Sequence, residues 1–142
     1  MSYRYFPQTE FVSMPWKNGG GSTREILRVP EDSDDWQWRL SIADIAADGP
    51  FSAFPGCERS LTLLEGAGMA LQFADRHCDL RPPYATCCFA GEQTPECVLF
   101  DGPTVDFNVI WRREPLNITV ERRAMHGSLW CVPEPGVSWF VY

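Results

Sequence analysis

Apolar and polar residues alternate along much of this chain with the period of two that marks half-buried β-strands. Trp36-Gln37-Trp38-Arg39-Leu40-Ser41-Ile42 reads this way. Residues 105–111 repeat it, with Val105, Phe107, Val109 and Trp111 on one face and Asp106 and Asn108 on the other. Residues 61–64 and 97–100 are short unbroken apolar runs, as in strands buried on both sides. Residues 23–29, 69–73, 118–122 and 128–132 are further expected strands. Turn formers separate them: Asp48-Gly49-Pro50, Glu65-Gly66-Ala67-Gly68, Pro82-Pro83, Asp101-Gly102-Pro103 and Glu134-Pro135-Gly136. Only residues 42–47 hint at a helical turn. Many short strands at close spacing predict an all-β sandwich or barrel. The last segment, Val137-Ser138-Trp139-Phe140-Val141-Tyr142, is an apolar strand pattern with no polar tail. It is expected either to pair inside the sheet or to mark a fragment of a longer chain.

Composition narrows the function classes. A chain of 142 residues suits one domain, 1–142. Its 6 Trp and 9 Phe supply a sizeable core. A net charge of -7 argues against sequence-independent binding to nucleic acid or to an anionic membrane surface. It is compatible with a local basic site for a small acid. No apolar run approaches the length of about 18 residues needed to span a bilayer. Met1-Ser2-Tyr3-Arg4-Tyr5-Phe6-Pro7 contains no stretch of signal-peptide type, so the chain reads as cytoplasmic. The six cysteines form no CxxC pair and are expected as free, mostly buried thiols. Cys87 and Cys88 are strand neighbours that point to opposite faces and cannot readily share a metal. His77 and His126, far apart in sequence, are expected at the surface, with His77 in a hairpin turn. Neither a metal nor another cofactor is expected.

Candidate chemistry concentrates in two stretches. Lys17-Asn18-Gly19-Gly20-Gly21-Ser22-Thr23-Arg24 gathers two cations, an amide, two hydroxyls and three glycines. Its backbone N–H groups are candidates to cradle a carboxylate or phosphate, with a tight β-turn as the competing reading. The lysine precedes the glycines, so this is not a phosphate-binding P-loop. The second stretch is Phe51-Ser52-Ala53-Phe54-Pro55-Gly56-Cys57-Glu58-Arg59, followed by Leu61-Thr62-Leu63-Leu64-Glu65-Gly66. It resembles the metal motif of cupins with the ligands replaced: Ser52 and Phe54 stand where two histidines would be, and Arg59 where a glutamate would be. A pocket built for a cation has come to carry one, which points to a small anion. The competing reading of Arg59 is a surface arginine paired with Glu58 or Glu65. For Asp106 and Asn108 the alternatives are a solvated face or a polar wall, with Asp106 placed to balance Arg59 in an empty site. Arg39 and Ser41 lean towards the solvated reading. Trp16 is a wall residue or a plain core aromatic.

Met14-Pro15-Trp16-Lys17-Asn18-Gly19-Gly20-Gly21-Ser22-Thr23-Arg24-Glu25-Ile26 is similar to the opening signature of the HutD/Ves family. Trp38-Arg39-Leu40-Ser41-Ile42-Ala43-Asp44-Ile45, the 48–68 stretch, and Gly102-Pro103 with Asp106-Phe107-Asn108-Val109 follow in family order. The resemblance covers about residues 10–113 and weakens afterwards. It implies an RmlC-like cupin, a jelly-roll of two related halves, of which this chain would hold the second incompletely. HutD proteins accompany bacterial histidine-utilisation genes and look like modulators of that pathway, and Ves members are associated with cold or stress response. No settled catalytic activity comes with either name.

Three readings follow. The first is a metal-free cupin that binds a small carboxylate such as urocanate or N-formylglutamate. Lys17, Asn18, Arg24, Arg59, Asp106 and Asn108 would supply its polar contacts, and Trp16, Phe51 and Phe54 its walls. The second is a cofactor-independent isomerase or hydrolase on a similar acid, whose acid/base group would have to be Asp106, Asp44 or Glu25. The third is a partner-binding module with Trp139, Phe140 and Tyr142 at an open edge, for which a homodimer is one outcome.

Overall fold

The computed structural model describes residues 3–142; the first two residues of the amino-terminal stretch lie outside it. A short 3-10 turn, Gln8–Glu10, precedes ten strands. These are β1 (Val12–Pro15), β2 (Gly21–Val29), β3 (Trp38–Ile45), β4 (Gly49–Pro50), β5 (Cys57–Glu65), β6 (Met69–Gln72), β7 (His77–Leu80), β8 (Thr86–Ala90), β9 (Glu96–Leu99) and β10 (Thr104–Arg112). They form two antiparallel sheets, ordered β1-β2-β3-β10-β5-β8 and β4-β9-β6-β7. The result is the all-β sandwich that the alternation predicts, of the cupin kind that the resemblance implies, although the sheets do not close into a barrel. No helix among the described residues is long and apolar enough to cross a membrane.

Two cores hold it. The inner one lies between the sheets and includes Ala43, Ile45, Leu61, Leu63, Met69, Leu71, Leu80, Phe89 and Cys97. The second lies on the far face of the six-stranded sheet, where Ile26, Leu40, Ile42 and Val109 are packed by Phe6, Phe11, Phe107, Ile118 and Phe140. Alternation explains both, since Leu40 and Ile42 face outward and Ser41 and Ala43 inward.

Several expectations are corrected. Residues 42–47 make no helical turn, because Ile42 to Ile45 extend β3 in register with β2 and β10. The strands expected at 118–122, 128–132 and 137–142 are not formed. A strand needs a neighbour's ladder, and Pro115, Pro133 and Pro135 remove donors. That segment crosses the outer face instead and anchors through side chains: Tyr142 stacks on Phe107 at 4.8 Å between centroids, and Phe140 packs beside them. No second half with strands of its own therefore follows β10 in the described residues. The 75–77 turn is a hairpin as expected, but His77 is the first residue of β7; both histidines are exposed. All six cysteines are free: Cys57, Cys87 and Cys97 are buried, Cys88 is exposed, and Cys78 and Cys131 are half-buried.

Candidate functional site

Register places the inner-face residues of the large sheet in rows. Arg28, Arg39, Ile110, Arg59 and Phe89 lie side by side across β2, β3, β10, β5 and β8. The next row is Glu25, Ser41, Asn108, Leu61 and Cys87, and the third runs Thr23, Ala43, Asp106 and Leu63. Over the middle of these rows, floored by Thr23, Ala43, Ser41, Asn108, Arg39 and Arg59, opens a cavity of about 660 Å³, a size that suits a small organic ligand. Two connections roof it. The 50–54 loop contributes Pro50, Phe51, Ser52 and Phe54, and the β1–β2 hairpin contributes Trp16, Lys17 and Asn18.

Close backbone approach sets both roofs. Gly91 N–H donates to the Cys57 carbonyl and Phe54 N–H to the Gly91 carbonyl, each at 2.7 Å. A Cβ on Gly91 would lie 2.1 Å from the Phe54 carbonyl oxygen, so only glycine lets this loop fold down. A Cβ on Gly21 would meet the Asp44 carbonyl oxygen at 2.3 Å and the Trp16 ring at 3.2 Å. Trp16 is fixed further by Nε1 donating to Thr23 Oγ1 at 2.8 Å.

Arg59 is the central cation. It is 6 % exposed and stands among Phe51, Phe54 and Phe89, its guanidinium carbon 5.0 to 5.3 Å from their ring centroids. It donates to the Ser52 carbonyl at 3.1 Å and, at 3.4 Å, to Asn108 Oδ1, while its Nε–H has no acceptor. Neither Glu58 nor Glu65 pairs with it, and Glu58 is held by Arg113. Burial, followed by repulsion from Arg39, lowers its pKa to about 10, which leaves it charged at neutral pH. Arg39 lies 5.7 Å from the Phe54 centroid, and burial lowers its pKa as well, opposed by Glu25. With Lys17 exposed at the rim, three cations and no carboxylate line the cavity.

The structure thus brings together Trp16, Lys17, Asn18, Phe51, Phe54, Arg59 and Asn108. It separates two other candidates. Arg24 turns away into a bidentate pair with Asp44, at 2.8 and 3.0 Å. Asp106 is fully buried below the cavity wall, accepting from Thr104 Oγ1 at 2.8 Å with its Oδ1 unbonded, and does not pair with Arg59. The glycine loop is a tight turn rather than an anion cradle. Gly19 N–H donates to the Trp16 carbonyl and Gly20 N–H to Asn18 Oδ1, so neither points at a ligand. Arg39, Ser41 and Thr23 join the lining against the solvated reading of the first two. The parity shared by Arg39, Ser41 and Asn108 was visible in sequence; which parity faces inward was not.

The HutD family model matches residues 8–142. HutD from Pseudomonas fluorescens SBW25, solved in a formate condition, is 42% identical and superimposes with a TM-score of 0.70 over 77% of this chain and 60% of its own. A conserved protein of unknown function from Pseudomonas aeruginosa PAO1 is also 42% identical, with a TM-score of 0.69 over 74% of this chain and 55% of its own. The chain thus spans little more than half the length of these two relatives. KdgF from Halomonas sp., at 10% identity and a TM-score of 0.59 over 80% of this chain and 97% of its own, shares the fold.

Proposed function

This chain belongs to the HutD family, and on that footing we propose that its cupin sandwich is a receptor for a small carboxylate metabolite, serving as an accessory or regulatory protein of histidine utilisation. One observation carries the reading. A cavity lined by three cations and no carboxylate sits inside a molecule of net charge -7, and its innermost cation is bonded only to neutral acceptors. A buried guanidinium left with free donors is costly unless an anion completes its shell. Arg59 is aimed to take one carboxylate, with Asn108 and Ser41 beside it for the ligand's polar tail and Trp16, Phe51 and Phe54 against its apolar body. Urocanate and N-formylglutamate, small acids of histidine breakdown, are the candidate ligands of this reading. Asp106, the carboxyl with a pKa close to neutral, stands outside the cavity wall, which favours binding over turnover.

Calorimetric and thermal-shift titration with formate, urocanate, histidine, glutamate and N-formylglutamate tests the reading. At least one acid should give saturable heat and raise the melting temperature, with a stabilisation of about 2.7 kcal/mol at a hundred times its Kd. Heats indistinguishable from dilution for all five would remove the carboxylate receptor from consideration.

A further inference from the structure

Glu25 is a buried acid that the cavity lining does not include. Residues three apart on a regular strand face opposite ways. A register shift between Glu25 and Leu27 inserts an extra residue in β2, so that Glu25 and Arg28 both reach the inner face, opposite Ser41 and Arg39. The bulge thereby sets one carboxylate between two arginines. Glu25 Oε1 accepts from Arg28 Nε at 2.8 Å. Its Oε2 accepts no hydrogen bond and stands 3.7 Å from Arg39 Nε, whose own N–H has no acceptor. Both atoms are shielded from water, and they face each other just beyond hydrogen-bond length. Arg39 therefore has a charged partner within reach behind the cavity wall, and Arg59 has none.

We propose that Glu25 is a built-in counter-ion that competes with an incoming acid for Arg39 and so sets how tightly the cavity holds anions. In the empty protein it tempers the charge of the Arg39 guanidinium. When an acid occupies the cavity, Arg39 divides its donors between the ligand and Glu25. This role rests on the reading of the cavity as an acid-binding site. Arg59 supplies the fixed charge and Arg39 the adjustable one. Glu25 acts through Arg39 and is a positioning residue.

A double-mutant cycle tests it, with formate as the probe and calorimetry as the readout. Glu25→Gln should bind formate about tenfold more tightly than the wild type, since the Arg39 guanidinium then gives its full charge to the ligand instead of sharing it with a carboxylate. In an Arg39→Gln background the same change should alter affinity by less than about twofold. That non-additivity is what a purely structural glutamate does not produce. Glu25→Asp keeps a charge for Arg28 but draws it back by one methylene. It should fall between wild type and Glu25→Gln, and it serves if the neutral variant fails to fold. Equal effects of Glu25→Gln in both backgrounds, or weaker binding in Glu25→Gln, would overturn the counter-ion role while leaving the receptor reading intact. A wild-type protein that takes up none of the acids above removes both.

Discussion

Alanine at position 59 is expected to weaken binding of small carboxylates by at least about a hundredfold while leaving the melting temperature unchanged or higher. Each charge-assisted bond from a guanidinium contributes about 1.5–3 kcal/mol, and losing about 2.7 kcal/mol is already two decades of affinity. Stability moves differently because of what Arg59 has in the empty protein. Its contacts are three aromatic rings and two neutral oxygens, with Nε unpaired. Cation–π contacts return about 0.5–2 kcal/mol each, and burying an ion without a counter-ion costs several. The side chain borders an open cavity, so its removal leaves no sealed void to add a packing penalty. Titration and thermal melts of wild type, Arg59→Ala and Arg59→Lys separate these effects. Lysine keeps the charge but loses the planar fork, and it should retain partial affinity. An alanine variant that still binds, or that unfolds near room temperature, would contradict the assignment of Arg59 as a binding group held at a cost in stability.

The second large effect concerns Asp106 and pH. Burial first, with Asp44 adding, raises its pKa from 3.8 to about 7, against the Thr104 hydrogen bond that lowers it. The native carboxyl thus holds a proton between about pH 4 and 7 that the unfolded chain has released. Over that window the native state binds more protons, so stability falls as pH rises. About three units at 1.4 kcal/mol each make the penalty on the order of 4 kcal/mol by pH 8, and none below pH 4. Asp106→Asn mimics the protonated side chain. Its unfolding free energy in urea should match wild type near pH 4 and exceed it progressively up to pH 8. A difference that stays flat across this range would mean that Asp106 is ionised in the native protein throughout.

Much of the fold was legible because strand alternation is a local property. β3, β5, β6, β9 and β10 lie where period-two patterns or apolar runs placed them, within a few residues. The failures share one cause. Residues 128–132 and 137–142 carry strand patterns as clear as those of β9, yet whether a pattern becomes a strand depends on a free ladder beside it, and no local sequence records that. The same holds at the site. Seven of nine candidates line one cavity, because arginine, glycine and aromatic residues stand out against an apolar strand. Arg24 and Asp106 were misplaced because register decides which partner a charge meets. For Asp106 and Asn108, a solvated face was expected if their apolar neighbours filled a core. Those neighbours do pack, against Phe6, Phe140 and Tyr142, and the polar pair is nevertheless buried, since this sheet is covered on both faces.

The cavity's three cations sit inside an anionic molecule, and this governs how fast a ligand arrives as well as how long it stays. At low salt, where the Debye length reaches about 30 Å at 0.01 M, an approaching carboxylate senses the repulsion of the whole chain; only at the mouth does the local field attract it. Added salt screens the distant field first and reaches the enclosed guanidiniums least. Association rates followed by stopped-flow should therefore rise as ionic strength increases from a low value, opposite to the behaviour of a receptor with a basic surface.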